Sequence, residues 1–231
     1  MSPFIEQWLA IREKWHLKNH SFFAAWEDGK LTMEQMCLYV IQNYQITRHF
    51  FRQIPACMAK APIEVRRLLA ENLAEEFGLL GVGDRKGVDH DDLQFAFCDV
   101  AGLPRERMIH GEFYPHYQAL AYYFWNLVYN EPWQVFLAAG GACESQNVEM
   151  HRRSVKGLIR HHGLAELEVA LLFAEDDFVD EALGRFLDRV GAGAGGAGGG
   201  VGLVSASLRL LGALCRIRGA LVDLSDAAFG G

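Results

Sequence analysis

A single carboxylate, Glu144, directly follows the apolar run "WQVFLAAGGAC". A buried, ionised carboxylate is costly unless it is paired or binds a cation. Candidate partners occur elsewhere in the chain: Glu75 in "NLAEEFG", His90 in "GVDHDDLQF", and Asp176 and Asp180 in "LLFAEDDFVDEAL". The two aspartates are four residues apart, so one helix would present both in the same direction. Because carboxylates and imidazoles are the usual ligands of non-haem iron and manganese, this set predicts a metal centre.

Most of these candidate ligands also have a simpler interpretation. Glu75 could belong to a solvated helix end that faces Arg66 or Arg67, and His90, flanked by aspartates, could mark an exposed helix N-terminus. The run "EDDFVDE" is typical of a solvated acidic face. Glu144 is the exception, because the residues before it are apolar.

Two neighbours of Glu144 carry reactive groups. His151 lies seven residues further on, on the same helical face, and could complete a metal shell, although a surface imidazole is the commoner role. Cys143 could be a nucleophile, but no base lies beside it, and a buried inert cysteine is the simpler interpretation.

The composition indicates a globular protein of 231 residues, long enough for one substantial core. Its net charge of −7 argues against a nucleic acid partner. The five cysteines form no CxxC pair, which suits a reducing cytosol. The N-terminus lacks the apolar segment of a signal peptide, and arginines interrupt the apolar stretch near the C-terminus. We therefore expect a cytoplasmic protein with no membrane partner.

Helical spacing of apolar residues runs through almost the whole chain, and no alternating strand pattern appears. The sequence predicts an all-α bundle of seven to eight helices. Thr32 and Gln35 match a capping box at the start of a long helix. The expected helices are residues 3–18, 32–60, 62–80, 89–102, 108–129, 132–161, 165–190 and 203–225.

The composition changes abruptly after residue 162, beyond which no His, Lys, Trp, Tyr, Met, Pro, Asn or Gln occurs. We expect a helical domain at 1–190, a flexible Gly-rich joint at 191–202, and a C-terminal helix and tail at 203–231. Compositional bias with a flexible joint is one interpretation. A divergent or frame-altered C-terminus is the other.

Several stretches together resemble the heme-oxygenase-like helical superfamily: "HSFFAAWEDGKLTMEQMCLYVIQNYQ", "NLAEEFG", "HDDLQFAF" and "ESQNVEMHRRSVKGL". The superfamily includes thiaminase II, the pyrroloquinoline quinone biosynthesis oxidase and heme-oxygenase-like di-iron oxidases. The chain is most similar to the last branch, which contains the death-domain-associating 4-aminobenzoate synthase. The resemblance implies a heme-oxygenase-like bundle.

The same resemblance implies a ligand set. In the di-iron branch the metals are held by a Glu, a His, a second Glu and a final helix with His-x3-Asp and a last His about one turn further on. These positions correspond here to Glu75, His90 and Glu144, followed by Asp176 and Asp180. The spacing from Glu to His is widened by "LLGVGDRK", which must loop out if both residues are to reach one centre.

The final motif departs from the family pattern. Asp176 stands where the family has His, and the family's last His corresponds to Leu183 or Gly184, neither of which offers a donor atom. His151 could compensate. The residues are therefore compatible with one or two ferrous ions, with manganese, or with a metal-free descendant.

Other family positions also differ. In the family's self-sacrificing synthesis of 4-aminobenzoate, a tyrosine of the protein is the donor, and its position corresponds to Phe23 here. A lysine that is important for the same chemistry corresponds to Ser154. The pyrimidine-holding aspartate of thiaminase II corresponds to Asn43 in "IQNY". Neither chemistry transfers unchanged.

These observations predict a non-haem iron-dependent oxidase or oxygenase that acts on a small organic substrate with dioxygen. The alternatives are a metal-free or non-catalytic bundle that binds a small molecule or a protein partner, and a cofactorless oxidase. We expect Phe23, Tyr44, Arg48 and His49 to line the substrate pocket. The family resemblance also implies a homodimer.

Overall fold

The fold is known from a computed structural model that describes residues 3–14, 16–80 and 87–164. These ranges contain eight α-helices and one short 3₁₀ helix at Leu17–Asn19, with no strand, which confirms the all-α class. The α-helices are α1 (Pro3–Lys14), α2 (Ser21–Glu27), α3 (Met33–Met58), α4 (Ile63–Glu76), α5 (His90–Ala101), α6 (Arg105–His110), α7 (Pro115–Asn130) and α8 (Trp133–His162).

Several predictions concern residues 165–231, which lie outside the described part of the chain. They are the helices at 165–190 and 203–225, the joint at 191–202, and the aspartates Asp176 and Asp180. Within the described residues, no helix is long and apolar enough to cross a membrane.

The described residues divide into two compact units, one made of residues up to 30 together with residues 134–164, and the other of residues between 31 and 133. In the second unit α3 is the central element and packs against α4, α5, α6 and α7. Its start is the predicted capping box, in which Gln35 N donates to Thr32 Oγ1 at 3.2 Å and Thr32 N to Gln35 Oε1 at 2.8 Å.

The first unit contains an aromatic cluster on α2. Phe22 lies edge-on to Phe23, with ring centroids 5.3 Å apart, and Trp26 is buried beside them. Helix α8 approaches this cluster closely at Gly157, where a Cβ would lie 2.3 Å from Trp26 O. Only a residue without a side chain allows this approach.

Two short helices were not predicted. The expected helix at 3–18 ends at Lys14, and α2 begins separately after His20, whose Nδ1 accepts from Phe22 N at 3.1 Å. The expected helix at 108–129 is replaced by α6 and α7, because the chain leaves α6 after His110 and restarts at Pro115. Hydrophobic periodicity does not reveal helices of six or seven residues, because they are too short to show a period.

Candidate functional site

The end of α4 and the start of α5 lie side by side in the second unit. Gly87 N donates to Gly78 O at 3.0 Å, so the two ends of the connection from α4 to α5 lie next to each other. Gly78 has φ 68°, and a Cβ there would lie 2.7 Å from Val88 O. This close approach brings the last turn of α4 next to His90, the first residue of α5.

The carboxylate beside His90 belongs to Glu76. Its Oε2 lies 2.9 Å from His90 Nδ1, and the two side chains are 23% and 17% exposed, respectively. The same oxygen is buried and makes no hydrogen bond among the described residues. An imidazole nitrogen and a carboxylate oxygen at this distance can share a proton or bind one metal ion. We did not predict Glu76, although it adjoins Glu75.

Glu75, the predicted ligand, is half-buried at the same helix end. Burial raises the pKa of its carboxyl, and repulsion from Glu76 and Glu71 raises it further. An anion is therefore disfavoured at this position, and a nearby cation would relieve both effects.

Glu144 and His151 lie on α8, in the first unit. Glu144 is half-buried, and its Oε2 accepts a hydrogen bond from Asn147 Nδ2 at 2.9 Å. His151 is also half-buried. Within residues 3–14, 16–80 and 87–164, no three His, Cys, Asp or Glu side chains form a group that could hold a metal. The five-ligand set stays a prediction, since Asp176 and Asp180 are outside those ranges.

Tyr44 and Arg48 form a second polar group, between α3 and α5. The Arg48 guanidinium lies 5.2 Å from the Tyr44 ring centroid, and its Nη1 donates to the Tyr44 hydroxyl. Phe95 of α5 packs on Tyr44 with ring centroids 5.7 Å apart. Burial raises the pKa of the Tyr44 phenol, and the charge of Asp91 raises it further. The phenol is thus kept protonated.

The other two predicted pocket residues, His49 and Phe23, each have their own ring neighbours. His49 follows Arg48, and its Nδ1 accepts a hydrogen bond from Trp125 Nε1 of α7 at 3.2 Å. Phe113, which precedes α7, stacks on the His49 ring with centroids 5.7 Å apart. Phe23 is 1% exposed and belongs to the aromatic cluster of the first unit. The structure therefore groups Tyr44 with Arg48 and places His49 in a different cluster.

Two residues of α5 that we did not predict carry polar atoms in the interior. Asp91 has a buried Oδ1, and Gln94 has both side-chain polar atoms buried, with no hydrogen-bond partner among the described residues. Burial raises the pKa of the Asp91 carboxyl, and the charge of Arg48 opposes that rise. The signal that the sequence offers for these two positions is the polar run "HDDLQ".

Comparison with known proteins identifies the class. The profile of the TENA/THI-4/PQQC family matches residues 8–170, more than half of the chain, and the protein belongs to this family. The heme-oxygenase-like fold expected from the sequence is thereby confirmed.

Relatives with assigned names are 4-aminobenzoate synthases. One from Chlamydia muridarum (strain MoPn / Nigg) is 26% identical over 178 residues, which cover 77% of this chain and 72% of the relative. One from Nitrosomonas europaea is 26% identical over 175 residues, covering 71% of this chain and 68% of the relative.

Solved structures share the fold at low sequence identity. A TenA homolog from Pseudomonas syringae pv. tomato superposes with a TM-score of 0.76 at 16% identity, covering 97% of this chain and 93% of that one. A TenA family transcription regulator from Silicibacter sp. TM1040 gives a TM-score of 0.71, also at 16% identity, with coverages of 95% and 96%.

Proposed function

We propose that the protein is a non-haem iron-dependent oxidase or oxygenase that acts on a small organic substrate with dioxygen. The observation that carries the proposal is the contact between Glu76 and His90, in which a buried carboxylate oxygen that has no hydrogen bond among the described residues faces an imidazole nitrogen at 2.9 Å. The similarity to 4-aminobenzoate synthases supports it.

The donor set of the second unit fits iron chemically. Glu76 and His90 supply one carboxylate and one imidazole, which is the ligand chemistry of non-haem iron. Glu75, with its unfavourable anionic form, could add a further carboxylate. Glu144, Asp176 and Asp180 are the other ligands we propose. Iron bound there supplies the electrons that dioxygen reduction requires.

An aromatic ring lies against the imidazole of the Glu76–His90 pair. Phe51 lies edge-on to His90, with centroids 5.7 Å apart, and also packs on Phe77 at 5.4 Å. The Phe51 ring covers one side of the imidazole, and a side chain shielded from water has stronger electrostatic interactions. Arg48 holds the Tyr44 hydroxyl in place and would orient a polar substrate group.

Metal loading tests the proposal. The full-length protein is incubated anaerobically with ferrous iron, desalted and analysed for metal. We expect at least one iron per chain and an optical change on admission of oxygen. The Glu144→Ala variant should retain less iron. Protein that retains no iron and shows no optical change would contradict the proposal.

A metal-free or non-catalytic bundle is the second candidate, and the hydrogen bond from Asn147 to Glu144 favours it. An amide donor partly compensates a half-buried carboxylate without any metal. Iron that is retained by the wild type and lost on Glu144→Ala would argue against this candidate. Turnover that chelators leave unaffected would instead indicate a cofactorless oxidase.

The remaining aspects of the proposal concern partners and location. We propose a small organic molecule and dioxygen as the partners, and a cytoplasmic homodimer as the working form. Analytical ultracentrifugation of the full chain measures the assembly directly, and a monomer at micromolar concentration would contradict that part.

A further inference from the structure

Among the described residues, the buried polar side chains other than Gln94 all make hydrogen bonds to backbone. Gln53 illustrates the rule, since its Nε2 donates to Ala121 O at 2.9 Å. The other satisfied side chains are His16, Gln42, Gln146 and Ser154. Gln94 is 8% exposed, yet neither its Nε2 nor its Oε1 has a partner among these residues. Such a group is costly unless something else satisfies it.

A second unsatisfied atom lies close by. Asp91 is three residues before Gln94 in α5, so the two side chains lie on the same side of the helix. Its Oδ1 is buried without a hydrogen bond among the described residues. Asp91 is also near enough to Tyr44 and Arg48 of α3 for its charge to act on both. Two acceptors and one amide donor therefore remain available on this side of α5.

We propose that Gln94 and Asp91 form a recognition subsite for a flat, neutral substrate whose edge carries an N–H donor beside a carbonyl acceptor. The Gln94 amide can pair with such an edge through two hydrogen bonds, and the Asp91 carboxylate can accept from a further N–H. Tyr44, on which the charge of Asp91 acts, packs on Phe95 and would supply apolar ring surface for the ligand. The inference deepens the proposed function, on which it rests, because it names the substrate class.

The charges around the subsite disfavour an ionic ligand. An anion would meet the Asp91 carboxylate, whereas a cation would lie near Arg48, which already acts on Asp91. A neutral amide group needs neither charge and matches the donor and acceptor of Gln94. Selectivity should therefore depend on hydrogen bonds, which reject an analogue that cannot form them.

The test uses 2-pyridone as the probe and N-methyl-2-pyridone as its matched control, because methylation removes only the N–H donor. Binding to the full-length protein is measured by ligand-observed NMR, with and without ferrous iron. We expect 2-pyridone to bind with a Kd on the order of 1 mM, as suits so small a molecule. The N-methyl analogue should bind at least about tenfold more weakly.

Variants separate recognition from structure. Gln94→Met should weaken 2-pyridone binding at least about tenfold and leave Tm unchanged or raised, because it removes polar atoms that have no hydrogen bond among the described residues. Gln53→Met is the matched control: it should lower Tm by a few degrees, because it removes the buried hydrogen bond from Gln53 Nε2 to Ala121 O, and it should leave binding unchanged. Gln94→Leu serves if Gln94→Met does not fold.

Three results would overturn the subsite: no binding of 2-pyridone at 10 mM (about ten times the expected Kd), equal affinity for both probes, or a fall in Tm for Gln94→Met as large as that for Gln53→Met. The last would show that the protein itself satisfies Gln94. Because binding is measured without turnover, a failure of iron loading and a failure of recognition can be told apart.

Discussion

His90 Nδ1 lies 2.9 Å from Glu76 Oε2, across the junction of α4 and α5. The turn at Gly78 and the backbone bond from Gly87 to Gly78 create this contact between residues fourteen positions apart in the chain. If iron binds here, the contact joins two of its ligands.

Replacing Glu76 should therefore weaken iron binding. We expect Glu76→Gln to reduce ferrous iron affinity by at least roughly tenfold, since an amide oxygen is a poorer ligand than a carboxylate. Competition with a coloured chelator measures the affinity. Glu71→Gln is the matched control on an exposed site of the same helix and should change it little. Equal losses in the two variants would indicate a nonspecific charge effect.

The ion pair that connects α2 and α8 should contribute measurably to stability. Arg153 Nε donates to Glu27 Oε2 at 2.6 Å, and its Nη1 donates to Lys18 O. We expect Arg153→Leu to lower the free energy of unfolding by about 1–2 kcal/mol in urea titrations at pH 7. Arg152→Leu breaks only an exposed 3.3 Å pair with Glu149 and should cost less than about 0.5 kcal/mol.

The same pair predicts a pH dependence. The hydrogen bond from Arg153 is the main reason that the pKa of Glu27 lies below its usual 4.5. The stabilisation is therefore complete above that pH and is lost as pH falls through the lower folded-state pKa. The difference in unfolding free energy between wild type and Arg153→Leu should be constant at pH 5–8 (the range above about pH 5) and shrink at lower pH. A difference that does not change down to pH 3, about one unit below the usual Glu value, would contradict this.

His16 should destabilise the fold in mild acid. It is 4% exposed, its Nδ1 accepts from Lys18 N at 3.1 Å, and burial lowers its pKa from 6.5 to about 4. The unfolded chain thus binds the proton first, so stability falls as pH drops from 6.5 towards 4, by at most roughly 3 kcal/mol. His16→Asn keeps an acceptor for the cap and should flatten this fall. His20→Asn, at the neighbouring helix cap, should leave this pH-dependent fall in stability as it is in the wild type.

Gly157 should be intolerant of any side chain. Its Cβ would lie 2.3 Å from Trp26 O, so Gly157→Ala must displace α8 from α2. We expect the free energy of unfolding to fall by about 2 kcal/mol or more, despite the higher helix propensity of alanine. Chemical denaturation measures it. Arg160→Ala, at an exposed site of the same helix, should be nearly neutral, and a neutral Gly157→Ala would refute the close packing.

Much of the helical organisation could be predicted, because a long helix repeats its apolar residues at a period that the sequence shows directly. The capping box at Thr32 places the start of α3, and apolar periodicity predicts its length through Pro55. Helices α2 and α6 were not predicted, because seven and six residues are too few to show a helical period. The sequence indicated Glu75 as a ligand, which stays a prediction, and the structure places the neighbouring Glu76 against His90.

The sequence by itself determined the all-α class, the family and the candidate residue types, because periodicity and local motifs are properties of short segments. Only the tertiary structure decided which glutamate faces His90, since one residue along a helix turns a side chain by about 100°. It also decided that Gln53 has a hydrogen-bond partner, whereas Gln94 has none within the part of the chain that the structure describes. Hydrogen bonds of buried side chains depend on backbone groups far away in the chain, and no local pattern encodes those distances.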